Sequence, residues 1–204
     1  MGASIMVGGS RPDQSEQEIG GKSIFQGGRV RLIAPDPERD AGLFARWMRD
    51  SEFVRLMDTD PATLFSIDKH KEWLEKDLVD EQKSDEIFFL IRTVQGDKTI
   101  GLIGLDGIRW VHGDAWVGIG LGEREYWGRG YGTDAMLILQ RYAFLELNLH
   151  RLSLTVFEYN ERAMASYKKA GFTEEGRARQ YLNRNGERYD MIFMGILREE
   201  WERR

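Results

Sequence analysis

Apolar and polar residues recur with clear periods along most of the chain, and the period changes at glycines and prolines. Val30, Leu32 and Ala34 alternate with Arg29, Arg31 and Ile33, and Pro35 and Pro37 close that first short strand. The next 45 or so residues read as helical. Asp40 is placed to cap a helix carrying Leu43, Phe44, Trp47 and Met48, and Ser66 to cap another carrying Ile67, His70, Trp73, Leu74 and Leu78. Thr59, Asp60 and Pro61 break the pattern between them. Ile87 to Val94 predicts a buried strand, Gln95 to Lys98 a tight reversal, and Thr99 to Leu105 its antiparallel partner. Ala115, Val117, Ile119 and Leu121 then alternate with Trp116, Gly118 and Gly120. Met136, Leu139, Ala143 and Leu147 form the stripe of a helix from Thr133 to Asn148, and Leu152, Leu154 and Val156 mark a further strand. Such a strand, glycine loop, helix, strand unit normally sets its two strands parallel. A short helix from Glu161 to Lys169 stops at Gly171, and Asn185-Gly186 turns a final hairpin whose return strand carries Tyr189, Met191 and Phe193. The order is that of a mixed α/β fold without internal repeats.

Residues 1–28 stand apart. They are rich in Gly, Ser, Gln and Glu and lack either period, so they read as a flexible tail or leader, followed by one domain from 29 to 204. With 41% hydrophobic and 31% charged residues, the chain can bury one core and keep a solvated shell. A net charge of −5 gives no basic field for nucleic acid or an anionic membrane surface, and no apolar run reaches the roughly 18–20 residues of a spanning helix. Cysteine is absent, which excludes disulfides, thiolate metal sites and cysteine nucleophiles. His70, His112 and His150 form no pair at metal-ligand spacing, so no metal is expected. A cytoplasmic enzyme or binding protein is the class that remains.

The stretch Trp127-Gly128-Arg129-Gly130-Tyr131-Gly132-Thr133 sets three glycines between a buried strand and a long helix. A helix start leaves backbone N–H groups unpaired with a partial positive charge, and glycines let an anion approach the main chain. Arg129 can add charge there, and the Thr133 hydroxyl can cap the helix or bond a phosphate. A turn that needs glycine only for positive φ is the alternative. The spacing matches neither a nucleotide P-loop nor a dinucleotide fingerprint. A second constellation begins at Asn160, a plausible N-cap. Tyr167 lies seven residues on, close to two turns, so both side chains project from one face. A cap and a core aromatic would satisfy the same letters.

Taken together, EREYWGRGYGTDAM, LNLHRLSLTVFEYNERAMASYKKAGF and EEGRARQYLNRNGERYDMIFMGIL resemble the GNAT superfamily of acetyl-CoA-dependent N-acetyltransferases. The similarity is greatest to the branch that contains ribosomal-protein N-terminal acetyltransferases and spermidine acetyltransferases. It extends in element order from about Arg29 to the C-terminus, with Trp127 standing where the superfamily loop often has Gln or Arg. The resemblance implies a central, mostly antiparallel mixed sheet of about seven strands flanked by helices. It implies that the main chain from Trp127 and Gly128 through Arg129, Gly130, Tyr131, Gly132 and Thr133 holds the CoA pyrophosphate. The backbone around Ile119 and Leu121 would bond the pantetheine arm as an added strand does, Asn160 would bond that arm, and Tyr167 would sit by the thioester sulfur. Gly118 and Gly120 fit a close approach by an extended ligand, or equally the packing of a neighbour.

The expected reaction is direct acetyl transfer to a primary amine within a ternary complex, with acetyl-CoA as cosubstrate. An alkylammonium of pKa about 10.4 must lose a proton before attack, and a departing thiolate accepts one from a nearby phenol. Tyr167 suits that acid role, and a backbone N–H near Ile119 or Leu121 would polarise the carbonyl. Glu123, Glu125 and Asp106 are the candidates for the base, and Glu123 is the one carried forward as catalytic. Expected partners are a small-molecule amine (a polyamine, antibiotic or amino acid) or a peptide N-terminus, with homodimerisation left open. A catalytically silent acyl-CoA sensor is the alternative.

Overall fold

The structure, a computed structural model, describes residues 23–78 and 85–204. The expectation for the first 22 residues lies outside them. The chain runs β1 (Val30–Ile33), α1 (Pro37–Trp47), α2 (Ser51–Met57), α3 (Ile67–Trp73), β2 (Ile87–Thr93), β3 (Thr99–Arg109), β4 (Asp114–Leu121), α4 (Tyr131–Arg141), β5 (Arg151–Phe157), α5 (Glu161–Lys169), β6 (Thr173–Arg184), β7 (Glu187–Leu197) and α6 (Arg198–Glu202). The seven strands form one sheet in the order β1-β2-β3-β4-β5-β7-β6. Every neighbouring pair is antiparallel except β4 and β5, the two strands of the expected parallel unit.

Alternation along the strands sends side chains to two cores. On one face Val30, Leu32, Ile91, Ile103 and Val117 meet Met136 and Leu139 of α4 and Ala143 of the wider helical turn, Tyr142–Glu146, that continues it. On the other, Leu90 and Leu102 lie under Phe44, Trp47, Phe53 and Leu74 from the first helices. Each large side chain buried this way contributes roughly 1.5–3 kcal/mol.

Several boundaries differ from expectation: β3 runs on to Arg109, and the helix expected from Thr133 to Asn148 is α4, Tyr131–Arg141, followed by the wider turn Tyr142–Glu146. Pro37 does not close the strand but opens α1 at a position where its missing N–H is no loss, and the cap is Asp36, whose side chain accepts from the Arg39 N–H at 3.2 Å. Asp40, the expected cap, is buried in the first turn and accepts from the Asp36 N–H at 2.8 Å. The expected tail reaches too far: residues 23–28 are packed on the domain, because Phe25 sits 5.6 Å from the Phe89 ring and 5.3 Å from that of Tyr142. Ser66 caps α3 as expected, bonding the Lys69 N–H at 3.1 Å.

Candidate active site

The two parallel strands pair only at Asp114 with Arg151, Ala115 with Leu152 and Trp116 with Ser153. Beyond Trp116 they separate, and β5 continues its ladder with β7 alone. The far half of β4 therefore has one edge on β3 and the other open. The Leu121 carbonyl faces the open side, since the Trp127 indole N–H reaches it at 2.6 Å. Residues two apart share a direction, so the Ile119 N–H and C=O face the same slot. Ile119 is thus free to pair with an extended ligand. Leu121, expected to share that role, has its carbonyl occupied by Trp127.

At the end of the slot the chain passes Gly128 (φ 68°) and Gly130 (φ 85°), both left-handed, and enters α4 with Gly130 as N-cap. No side chain caps the helix. Asp134 bonds back to the Gly130 carbonyl at 3.0 Å, whereas the N–H groups of Gly128 through Thr133 have no protein partner among the described residues. Several unpaired donors on an α-helix start make a cradle for an anion. Thr133 contributes only its amide: its hydroxyl pairs with Ser166 at 2.8 Å and ties α4 to α5. Arg129 turns away from the cradle, donating to the Glu125 carbonyl at 3.1 Å.

Asn160 caps α5 by accepting from the Ala163 N–H at 3.2 Å, which leaves its NH2 without a protein partner. Tyr167 follows two turns later and is 9% exposed, with its ring 6.4 Å from Phe172. Burial pushes its phenol up to about 12. Its hydroxyl has no protein hydrogen bond yet is not sealed, because Tyr167 lines a cavity of about 500 Å³ together with Ile119, Leu121, Gly130, Thr133 and Asn160. That volume is in the range of small-ligand sites. The structure therefore brings nearly all of the expected cofactor residues and the expected acid to one cavity.

Glu123 stands apart from the other expected site residues. Its carboxylate is 6% exposed, lies outside that cavity, and receives Arg46, the Trp47 indole N–H at 2.7 Å and Lys98 at 3.2 Å. Burial alone would raise this carboxyl, but the bonds from Arg46, Trp47 and Lys98 outweigh it and hold it below its ordinary value. A carboxylate with its lone pairs so occupied anchors α1 to the end of β4; it is badly placed to take a proton. Glu125 pairs with Lys98 at 2.8 Å, and Asp106 stands opposite Trp116 on the sheet.

Three residues near the cleft carried no signal in the letters. Trp127 lies between two guanidinium groups, Arg162 at 3.9 Å and Arg124 at 5.3 Å, and Arg124 in turn grips Asp50 at the start of α2. Arg29 lines the cavity beside Gly130 from the residue just before β1, just over one hundred residues earlier. The two cleft glycines also differ. A Cβ at Gly118 would meet nothing within 4 Å, but one at Gly120 would collide with the Met57 sulfur and lie 3.1 Å from Phe53.

The open slot along a strand edge leads from an anion cradle to a buried phenol. Residues 29–173 match the family described as an acetyltransferase (GNAT) domain, and the chain belongs to the GNAT N-acetyltransferases, which use acetyl-CoA. It is 30% identical over 181 residues to the SPbeta prophage-derived uncharacterized N-acetyltransferase YokL of Bacillus subtilis, covering 88% of this chain and 96% of that protein. It is 36% identical over 102 residues to the putative ribosomal N-acetyltransferase YdaF of Bacillus subtilis, 50% of this chain and 55% of that one. Its fold matches the spermidine N-acetyltransferase of Vibrio cholerae solved in complex with CoA and spermine, with a TM-score of 0.75 and 25% identity over 85% of this chain and 98% of that chain.

Proposed function

We propose that this enzyme transfers acetyl directly to a primary alkyl amine in a ternary complex, without a covalent enzyme intermediate. One observation carries the reading: the unpartnered Tyr167 hydroxyl and the unpaired N–H groups of Gly128 through Thr133 open into the same cavity. The cavity fits CoA on chemical grounds. Main-chain donors receive a diphosphate, and the Ile119 edge and the Asn160 NH2 receive an amide-bearing arm.

Bound acetyl-CoA supplies a thioester whose carbonyl carbon an amine attacks, with the sulfur leaving as thiolate. The Ile119 N–H polarises the carbonyl oxygen, and Tyr167, fully protonated at neutral pH, delivers its proton to the sulfur and is reprotonated by the proton that the attacking nitrogen loses as the amide forms. Among the described residues the only carboxylate lining the cavity is Asp134, and it accepts from three backbone N–H groups. The incoming ammonium therefore sheds its proton to water. Polyamines are the first acceptors to assay, given the spermine-bound neighbour; amino acids, aminoglycosides and peptide N-termini follow.

The test is thiol release from acetyl-CoA with that panel. Turnover on at least one amine is expected, with log kcat/KM rising by about one per pH unit from 7 towards the amine pKa of about 10.4. Tight acetyl-CoA binding without turnover on any of them would replace this reading with that of an acyl-CoA sensor.

A further inference from the structure

Residues 23–30 form a strap across α4, held at both ends by that helix. Asp134 accepts from the backbone N–H groups of Arg29 at 2.7 Å, Val30 at 3.0 Å and Gly28 at 3.3 Å. Two turns along, Arg141 donates to the carbonyls of Ile24 at 2.5 Å, Gln26 at 2.9 Å and Ser23 at 3.3 Å. At Gly27 the strap passes so close that a Cβ would lie 2.6 Å from an Asp134 oxygen. This geometry sets one side chain beside the anion cradle. The Arg29 Nε is 3.5 Å from where a Cβ on Gly130 would stand, and its guanidinium lies 5.8 Å from the Tyr131 ring centre.

No carboxylate pairs with that guanidinium among the described residues. Asp134, on the same turn of helix, already has both oxygens bonded to backbone. An acid in the first turn of a phosphate-binding helix would repel its ligand; three N–H donors disperse that charge, and Arg29 offsets it. The cradle is also not an isolated helix end, since the same cavity receives the buried, unpartnered Tyr167 hydroxyl.

We propose that Arg29 is a phosphate-binding residue of the cofactor site, and that Asp134 and Arg141 position it through the strap. The inference rests on the cofactor reading given above. Two phosphate sources share this chemistry, the diphosphate and the 3′-phosphate of CoA. The test measures the affinity of the full chain for CoA and 3′-dephospho-CoA by calorimetry, at low and at moderate salt. Arg29→Ala is expected to weaken CoA at least tenfold and flatten the salt dependence, with Arg29→Lys recovering part of the loss as a point charge. Loss for CoA alone assigns the 3′-phosphate, and equal loss for both assigns the diphosphate. In steady state, Arg29→Ala and Asp134→Asn should raise KM for acetyl-CoA and leave kcat unchanged, a split that mere misfolding does not produce. Wild-type binding with Arg29→Ala within twofold of it would overturn this proposal alone. Failure of the wild type to bind CoA would overturn it together with the cofactor reading.

Discussion

Replacing Tyr167 by Phe removes one oxygen and tests the chemistry and the burial at once. The hydroxyl makes no protein hydrogen bond and the ring stays packed on Phe172, so stability at pH 7 should change by no more than about 0.5 kcal/mol. Catalysis should not be spared. Loss of a positioned acid lowers kcat by about 10²-fold or more, with the Kd for acetyl-CoA within about twofold. The phenol, raised to about 12 in the folded chain, titrates near 10 when unfolded. Between those values the unfolded state has lost its proton and the folded state has not, so stability present below pH 10 falls as pH rises. The loss attributable to Tyr167 is on the order of 1 kcal/mol at pH 11 and levels off between about 2 and 3 kcal/mol above pH 12. Thermal melts at pH 7 and 11 should show wild type losing more than the Phe variant, while thiol-release assays at saturating acetyl-CoA and amine follow kcat. Retention of kcat within threefold would refute the acid role. Equal alkaline losses in the two proteins would refute the burial argument even if kcat fell.

The strand and helix order was legible because each element has one face to bury and its letters repeat at that period. Ile119 against Gly118 and Gly120, and Met136 with Leu139 and Ala143, show this directly. The lining of the candidate site was legible for a related reason: unpaired main-chain donors, left-handed glycines and an Asn cap are local features, complete within the residues 118–133 and 160–167. What stayed hidden depends on contacts across the sequence. Glu123 looked like a loose carboxylate after a strand, and only the return of Arg46, Trp47 and Lys98 to the same place makes it an anchor. Arg29 read as an ordinary polar position of a first strand. Its relation to Gly130 arises because Asp134 and Arg141, both on α4, bind backbone from residues 23–30, and no periodicity records such a bond. The Thr133 hydroxyl met Ser166 for the same reason.

Glu123→Gln should destabilise the fold by about 1 kcal/mol, since the two cations it leaves unpaired, Arg46 and Lys98, are half exposed to solvent; once folded, the variant should keep most of its kcat in thiol release, and abolished turnover in a folded protein would restore Glu123 as a base. His70 is buried beside Phe65, and burial with the nearby Arg49 holds its imidazole below the usual value. Its stabilisation is present above pH 6.5 and lost as pH falls, so urea midpoints at pH 7.5 and 5.5 should differ less in His70→Leu than in wild type. The glycines of β4 give the sharpest contrast, because both face the side of the sheet that α2 covers and only one is covered. Gly120→Ala must displace the end of the Met57 side chain and press on Phe53, an overpacking that costs about 1 kcal/mol. Gly118→Ala meets no protein atom and should melt within about 0.5 kcal/mol of wild type. If the open space before Gly118 receives the amine, this silent substitution raises KM for the acceptor and leaves KM for acetyl-CoA alone, since the proposed cofactor site lies along the strand edge and that space over its face. Unchanged acceptor kinetics in Gly118→Ala would place the amine elsewhere. A raised KM for acetyl-CoA instead would mean that the slot beside Ile119 extends across the face of the strand.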